Sequence, residues 1–165
     1  MNDMDMEIES AQDFNMEEVD DMPNFVNEIS GVYKCDLTVK RETGEKDDKP
    51  FDTLVFQYTI EEEVEVKQDH GVKPEDIVMI RFSLIKSKKD EEEKRKEAVG
   101  LRMAKPLLIA LKESLGTEAS LNEIVKAAQG VKCTVTFSTR TSSGKDVEGN
   151  TIVYKNPQVK KMIVA

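Results

Sequence analysis

Three stretches that alternate apolar and polar side chains, a helix-patterned stretch of about forty residues and two more alternating stretches succeed one another in this chain of 165 residues. In the first, "VYKCDLTVKR", Tyr33, Cys35, Leu37 and Val39 fall on one face and Lys34, Asp36, Thr38 and Lys40 on the other. The second, "DTLVFQYTI", sets Leu54, Phe56, Tyr58 and Ile60 against Val55, Gln57 and Thr59. The third, "IVMIRFSLI", sets Val78, Ile80, Phe82 and Leu84 against Met79, Arg81 and Ser83. In the fourth, "VKCTVTFSTRT", Val131, Cys133, Val135 and Phe137 oppose Lys132, Thr134, Thr136, Ser138 and Arg140. The fifth begins at "TIVYKN" and resumes as "QVKKMIVA", and Pro157 between them predicts an edge, a bulge or a bend. Each alternation implies a strand with one face in the core and one in water.

The middle stretch, residues 86–116, reads as a charged lead-in followed by an apolar stripe of Val99, Met103, Leu107, Ala110 and Leu111, widened by Leu108 and Leu115. Pro106 predicts a kink or a fresh helix start, and Gly116 a C-terminal cap. A second helix is predicted over "SLNEIVKAAQG", with Ser120 and Glu123 at capping-box spacing and Gly130 as its stop. The Met and Leu stripe reads as core. Three strands, helices and two strands make a mainly β fold with a helical insert. The expected architecture is a five-stranded Greek-key barrel, the OB-fold, with its helices between strands 3 and 4. That order makes the first and fourth strands neighbours, with Cys35 and Cys133 facing inward across them as free thiols.

Charge divides the chain unevenly. Residues 1–28 hold ten carboxylates and no Lys or Arg, which leaves residues 29–165 with 24 cations against 23 acids, a net +1. Residues 1–28 therefore read as an acidic, flexible head and residues 29–165 as the folded domain. The segment 1–24 mixes its acids with Met, Ile, Phe and Val and keeps no period across its length. Phe14, Met16, Val19, Met22 and Phe25 suit docking on a partner protein, and the carboxylates suit a cationic groove of the chain's own. Near the other end, Lys132, Arg140, Lys145, Lys155, Lys160 and Lys161 face only Asp146 and Glu148. No apolar run reaches the roughly 18 residues of a membrane helix, and no signal-peptide pattern opens the chain, so a cytoplasmic location is expected.

Catalytic patterns are absent: there is no Walker loop, dinucleotide fingerprint, G-x-S-x-G or H-E-x-x-H. The single histidine, His70, lies between Asp69 and Gly71 and reads as a solvated turn residue. Glu61, Glu62, Glu63 and Glu65 alternate faces along a strand and cannot converge on one ion, so neither a metal nor another cofactor is expected. The expectation is a protein that is not an enzyme.

Outward cations and aromatic rings point instead to a polynucleotide, because cations track phosphates while rings stack on bases of any identity. The candidate contacts are Lys34, Lys40, Arg41, Lys49, Arg81, Lys132, Arg140, Lys145 and Lys155, with Phe51, Tyr58 and Tyr154 as stacking rings. Tyr33 and Phe82 are weaker candidates, since alternation places them on core faces.

The runs "SGVYKCDLTVKRET", "LVFQYTI" and "IRFSL", with "LNEIVKAAQGVKCTVTFSTRTSSGKDVEGNTIVYKN", resemble phage-encoded single-stranded DNA-binding proteins of OB-fold type over residues 30–157. That resemblance implies sequence-tolerant binding of single-stranded DNA in phage DNA replication and recombination within the host cytoplasm. It also implies contact with replication or recombination proteins, here through the acidic head. The head departs from the pattern, since many such proteins carry their acidic tail at the C-terminus. The alternative expectation is a protein-interaction module that uses the head and has no role with nucleic acid.

Overall fold

A computed structural model of the protein describes residues 15–19 and 22–165. The strands are β1 (Gly31–Lys46), β2 (Lys49–Glu65), β3 (Ile77–Ser83), β4 (Gln129–Lys145) and β5 (Thr151–Val164). Between β3 and β4 lie three helices, α1 (Lys88–Glu92), α2 (Val99–Leu115) and α3 (Leu121–Ala127). All four ladders are antiparallel, and the order across the sheet is β3-β2-β1-β4-β5.

The inner face follows the two-residue alternation of the sequence. Tyr33, Cys35, Leu37 and Val39 of β1, Leu54, Phe56, Tyr58 and Ile60 of β2, and Val131, Cys133, Val135 and Phe137 of β4 are all buried. Cys35 and Cys133 are register partners across β1 and β4. Both are free, and burial pushes their thiols up, that of Cys133 to about 12. Aromatic edges meet faces inside this layer: Tyr58 and Phe137 stand 5.4 Å apart at 86°, Phe56 and Phe82 5.5 Å apart at 84°.

The expected closed barrel is not formed. Its closing ladder would join β3 to β5, but these two strands are the outer edges of an open sheet. Local chemistry explains the gap. β3 is only seven residues long, and at its start the edge is already taken: Val26 N–H donates to Ile77 O at 2.8 Å and Ile77 N–H to Asn24 O at 2.9 Å. At its end, α2 lies against the Ser83 main chain through Gly100. β5 contributes Pro157, which has no N–H to donate, and one extra residue, Lys160, between the pairs Phe137–Val159 and Thr136–Lys161. The molecule is thus a mixed α/β domain on an open antiparallel sheet, not an OB-fold barrel. Of the alternatives expected at Pro157, the edge is present; Pro157 itself pairs in register with Thr139, and the bulge lies three residues on, at Lys160.

The helices depart from expectation in one instructive way. α2 buries Gly100, Ala104, Leu108 and Leu111, while Val99 and Met103 remain exposed. Leu108 and Leu111 of the expected stripe are buried, but at the start of the helix Gly100 and Ala104 take the place expected for Val99 and Met103. Small residues win the contact because a helix can approach a strand main chain only where no Cβ intervenes; one added at Gly100 would lie 2.0 Å from Ser83 O. α2 runs unbroken through Pro106, and Gly116 ends it at φ 67°. Ser120 precedes α3, but its side chain makes no capping bond. Gly130, at φ 71°, is the extra residue where β1 and β4 shift register.

Of the head, residues 1–14, 20 and 21 lie outside the described residues, so its expected flexibility falls largely there. Its C-terminal part is held by named contacts. Glu28 receives Lys155 Nζ at 2.6 Å and lies 3.4 Å from His70 Nδ1, and Thr139 Oγ1 accepts from Ile29 N–H and donates to Ile29 O, both at 2.9 Å. His70 is therefore half-buried against the segment, with Ser30 Oγ 3.2 Å from Nε2, not the solvated turn residue expected.

Candidate binding groove

Because β3 and β5 do not pair, a groove of about 690 Å³ opens between them and the first turns of α2. Its aliphatic lining comes from Val99, Met103 and Leu107 on the helix side and Pro157 and Val159 on the β5 side. Three cations line it: Arg81 from the outer face of β3, Arg140 from β4 and Lys160 from the β5 bulge. No carboxylate is among the lining residues. Among the described residues none of the three cations has an ion-pair partner, and the Arg81 guanidinium lies 3.3 Å from Met79 Sδ.

The other sequence-predicted cations sit differently. Lys132 holds Asp36 at 2.9 Å and Glu61 at 2.8 Å, and Lys34 lies 3.6 Å from Glu62. These pairs set three carboxylates against two lysines on the outer face around the sheet centre and leave neither lysine unpartnered. Arg41 makes a fork with Asp52, Nε–Oδ1 3.0 Å and Nη2–Oδ2 2.7 Å, and Lys155 is taken by Glu28. Lys40 reaches Gln57 at 3.3 Å, Lys49 stands beside the β1–β2 turn, and Lys145 ends β4 at the second hairpin. Only Arg81 and Arg140 of the predicted set meet in the groove. Lys160 was not among the predicted contacts, although the doubled lysine in "QVKKM", which breaks the alternation, signals the bulge that presents it.

Of the rings expected to stack on bases, Tyr58 is taken into the core, whereas Phe51 and Tyr154 remain exposed on the two hairpins. Tyr58 is fully buried, Tyr33 is nearly so, and Phe82 packs edge-on against Phe56. Phe51 lies across from Gly44, where an added Cβ would be 2.9 Å from its ring; Tyr154 similarly approaches Gly144. Such cross-strand cover stabilises a glycine in an exposed hairpin. With the barrel open and Tyr58 inside it, the expected outer surface for single-stranded DNA does not exist, and the phage replication role falls with it.

The helical wall of the groove is set by one carboxylate. Ser87 and Asp90 form a capping box at α1, and Asp90 Oδ2 also accepts from Val99 N–H at 3.2 Å while Oδ1 meets Arg102 Nη2 at 3.1 Å. One side chain thus fixes both the start of α1 and the start of α2. The Ser87 N–H, then that of Val99, the Ser87 hydroxyl and the Arg102 charge hold the Asp90 carboxyl below its usual range against the desolvation of its site. A carboxylate depressed in the folded state adds stability above its unfolded pKa, and loses it as pH falls through the folded one. Asp90→Asn should therefore melt several degrees lower than the parent at pH 7. The gap should begin to narrow below pH ~4, where the carboxyl of the unfolded chain takes up a proton, and close only once the pH has fallen through the lower value of the folded parent. Equal melting at neutral pH would show that α2 is positioned without this contact.

Among the described residues no helix is long and apolar enough to cross a membrane, and no cluster of His, Cys, Asp and Glu has metal-site geometry. Comparison with known protein families and with curated proteins yields no match for this chain.

Proposed function

We propose that the chain is a protein-interaction module whose groove receives an extended acidic segment carrying apolar side chains. One observation supports this reading above the rest: Arg81, Arg140 and Lys160 converge, without a carboxylate, on an aliphatic lining. Carboxylates would meet the cations while apolar side chains would enter between α2 and β5. The lining is mainly Val, Met, Leu and Pro, and its one ring, Phe82, is engaged edge to face with Phe56, so it suits aliphatic side chains better than bases. Between Ile77, which the N-terminal segment pairs, and Ser83, which α2 covers, the edge of β3 adds main-chain donors and acceptors of the kind an extended peptide uses. The role is recognition, not turnover.

The test is fluorescence anisotropy with a labelled peptide alternating Glu with Leu, its Lys-for-Glu counterpart and a labelled dT oligomer, each at two salt concentrations. The acidic peptide should bind and weaken with salt, as exposed pairs are screened over roughly 10 Å at 0.1 M. Arg81→Glu, Arg140→Glu and Lys160→Glu combined should weaken it by about tenfold or more, since each exposed pair contributes up to ~1 kcal/mol and reversal turns attraction to repulsion. Undiminished binding by the triple variant, or tighter binding of the dT oligomer at the same cations, would overturn the proposal.

A further inference from the structure

The groove's chemistry matches a segment of the chain itself. Residues 3–9, "DMDMEIE", alternate without a break: Asp3, Asp5, Glu7 and Glu9 would lie on one side of an extended strand and Met4, Met6 and Ile8 on the other. An aliphatic lining edged by cations is the complement of that pattern. No Lys or Arg occurs before Lys34, so nothing in the head would repel the three groove cations.

Connectivity brings the two together. The head is joined to the rim of the seam, because Asn24 and Val26 already pair with Ile77 on the same strand that carries Arg81. Arg81 is four residues along β3 from Ile77, or ~13 Å at strand spacing. Asn15–Glu18 form a turn, with Glu18 N–H donating to Asn15 O at 2.9 Å, and the other ten residues between 9 and 24 are enough chain to span up to about 30 Å, ample to return residues 3–9 to the groove. A segment tethered this closely is present at an effective concentration of order millimolar.

We infer that residues 3–9 of the same chain occupy the groove and must leave before an acidic segment of a partner protein can enter. The inference rests on the reading of the groove given above. It makes the head a regulator of binding: any event that neutralises or captures the head opens the site. The charge of the head and the availability of the groove are thereby coupled.

The experiment uses the full chain. In one variant Asp3, Asp5 and Asp13 become Asn and Glu7 and Glu9 become Gln; the probe is a labelled synthetic peptide with the sequence of residues 1–14. The neutral-head variant should bind the probe roughly tenfold or more tightly than the parent, because the tethered competitor is gone. Adding the three groove substitutions to it should abolish the gain. Equal affinity of the parent and the neutral-head variant would overturn the inference while leaving the groove's own role intact. Failure of both proteins to bind any acidic peptide would instead overturn the groove reading. Light scattering across a wide concentration range adds a further arm: a parent that self-associates, and a neutral-head variant that does not, would place the head in the groove of a second copy and refute occupancy within one chain.

Discussion

Tyr58→Ala should lower the free energy of unfolding by about 3–5 kcal/mol, the range for deleting a large aromatic side chain from a packed core. Tyr58 is the largest of the fully buried side chains, and its ring meets Phe137 edge to face at 5.4 Å. Its hydroxyl has a modest partner, Met162 Sδ at 3.3 Å. Tyr58→Phe keeps the ring and gives up only that contact, so it should cost less than about 1.5 kcal/mol. Burial also pushes the phenol's pKa well above its ordinary value, and the ring should stay neutral in the native protein as the pH passes 10. Chemical denaturation of the two variants, with an alkaline absorbance titration of the parent, checks all three statements. A ring serving at the surface would give the opposite pattern: little loss of stability in the alanine variant and ordinary titration.

Gly100→Ala should also destabilise the protein, against the usual direction of Gly-to-Ala changes inside helices. The helix gains about 1 kcal/mol in propensity from the alanine. That gain is opposed by a Cβ placed 2.0 Å from Ser83 O and 2.8 Å from Ser83 N. Both are main-chain atoms of β3 and cannot move aside as a flexible side chain would. Overpacking of this kind costs about 3 kcal/mol, so the net loss is about 2 kcal/mol, or roughly 4–8 °C in Tm for a chain of this size. Gly100→Val lacks most of the propensity gain and should lose more. Thermal melts of the two variants beside the parent decide the matter, and a more stable alanine variant would mean that α2 does not rest on β3 at Gly100. Since Val99 and Met103 flank this contact, a helix lifted off β3 should also reshape the groove and weaken its binding of an acidic peptide.

The strands were legible because burial on one face leaves a two-residue period, and such a period survives in sequence wherever one side of a sheet is core and the other wet. Every position assigned to the inner face of β1 and β4 and to the core stretch of β2 is buried. Helix content between the third and fourth strands was legible for the same reason at a different period. Leu108 and Leu111 were read correctly as buried, but the start of the stripe on α2 was misread because large apolar residues were taken to mark the buried face. What decided the contact was closeness of approach, which selects Gly100 and Ala104 and leaves Val99 and Met103 to line the groove. The cations were visible singly, but nothing in the order of residues shows which would meet a carboxylate across the sheet. Lys132 and Arg140 look alike in the alternation of β4; one finds Asp36 and Glu61, the other lines an acid-free groove.

By itself, the order of residues determined where strands and helices lie, which face of each strand is apolar, and that the acids gather at the front of the chain. These are local properties, written in a period or a composition that a short window contains. Whether the sheet closes was decided only in three dimensions, because it depends on how far apart two strands come to rest that are separated by the whole helical insert. There a glycine of α2, a proline and an extra lysine on β5, and a short bridge from the N-terminal segment keep β3 and β5 apart. The groove exists because of that separation, and so does the meeting of Arg81, Arg140 and Lys160 within it.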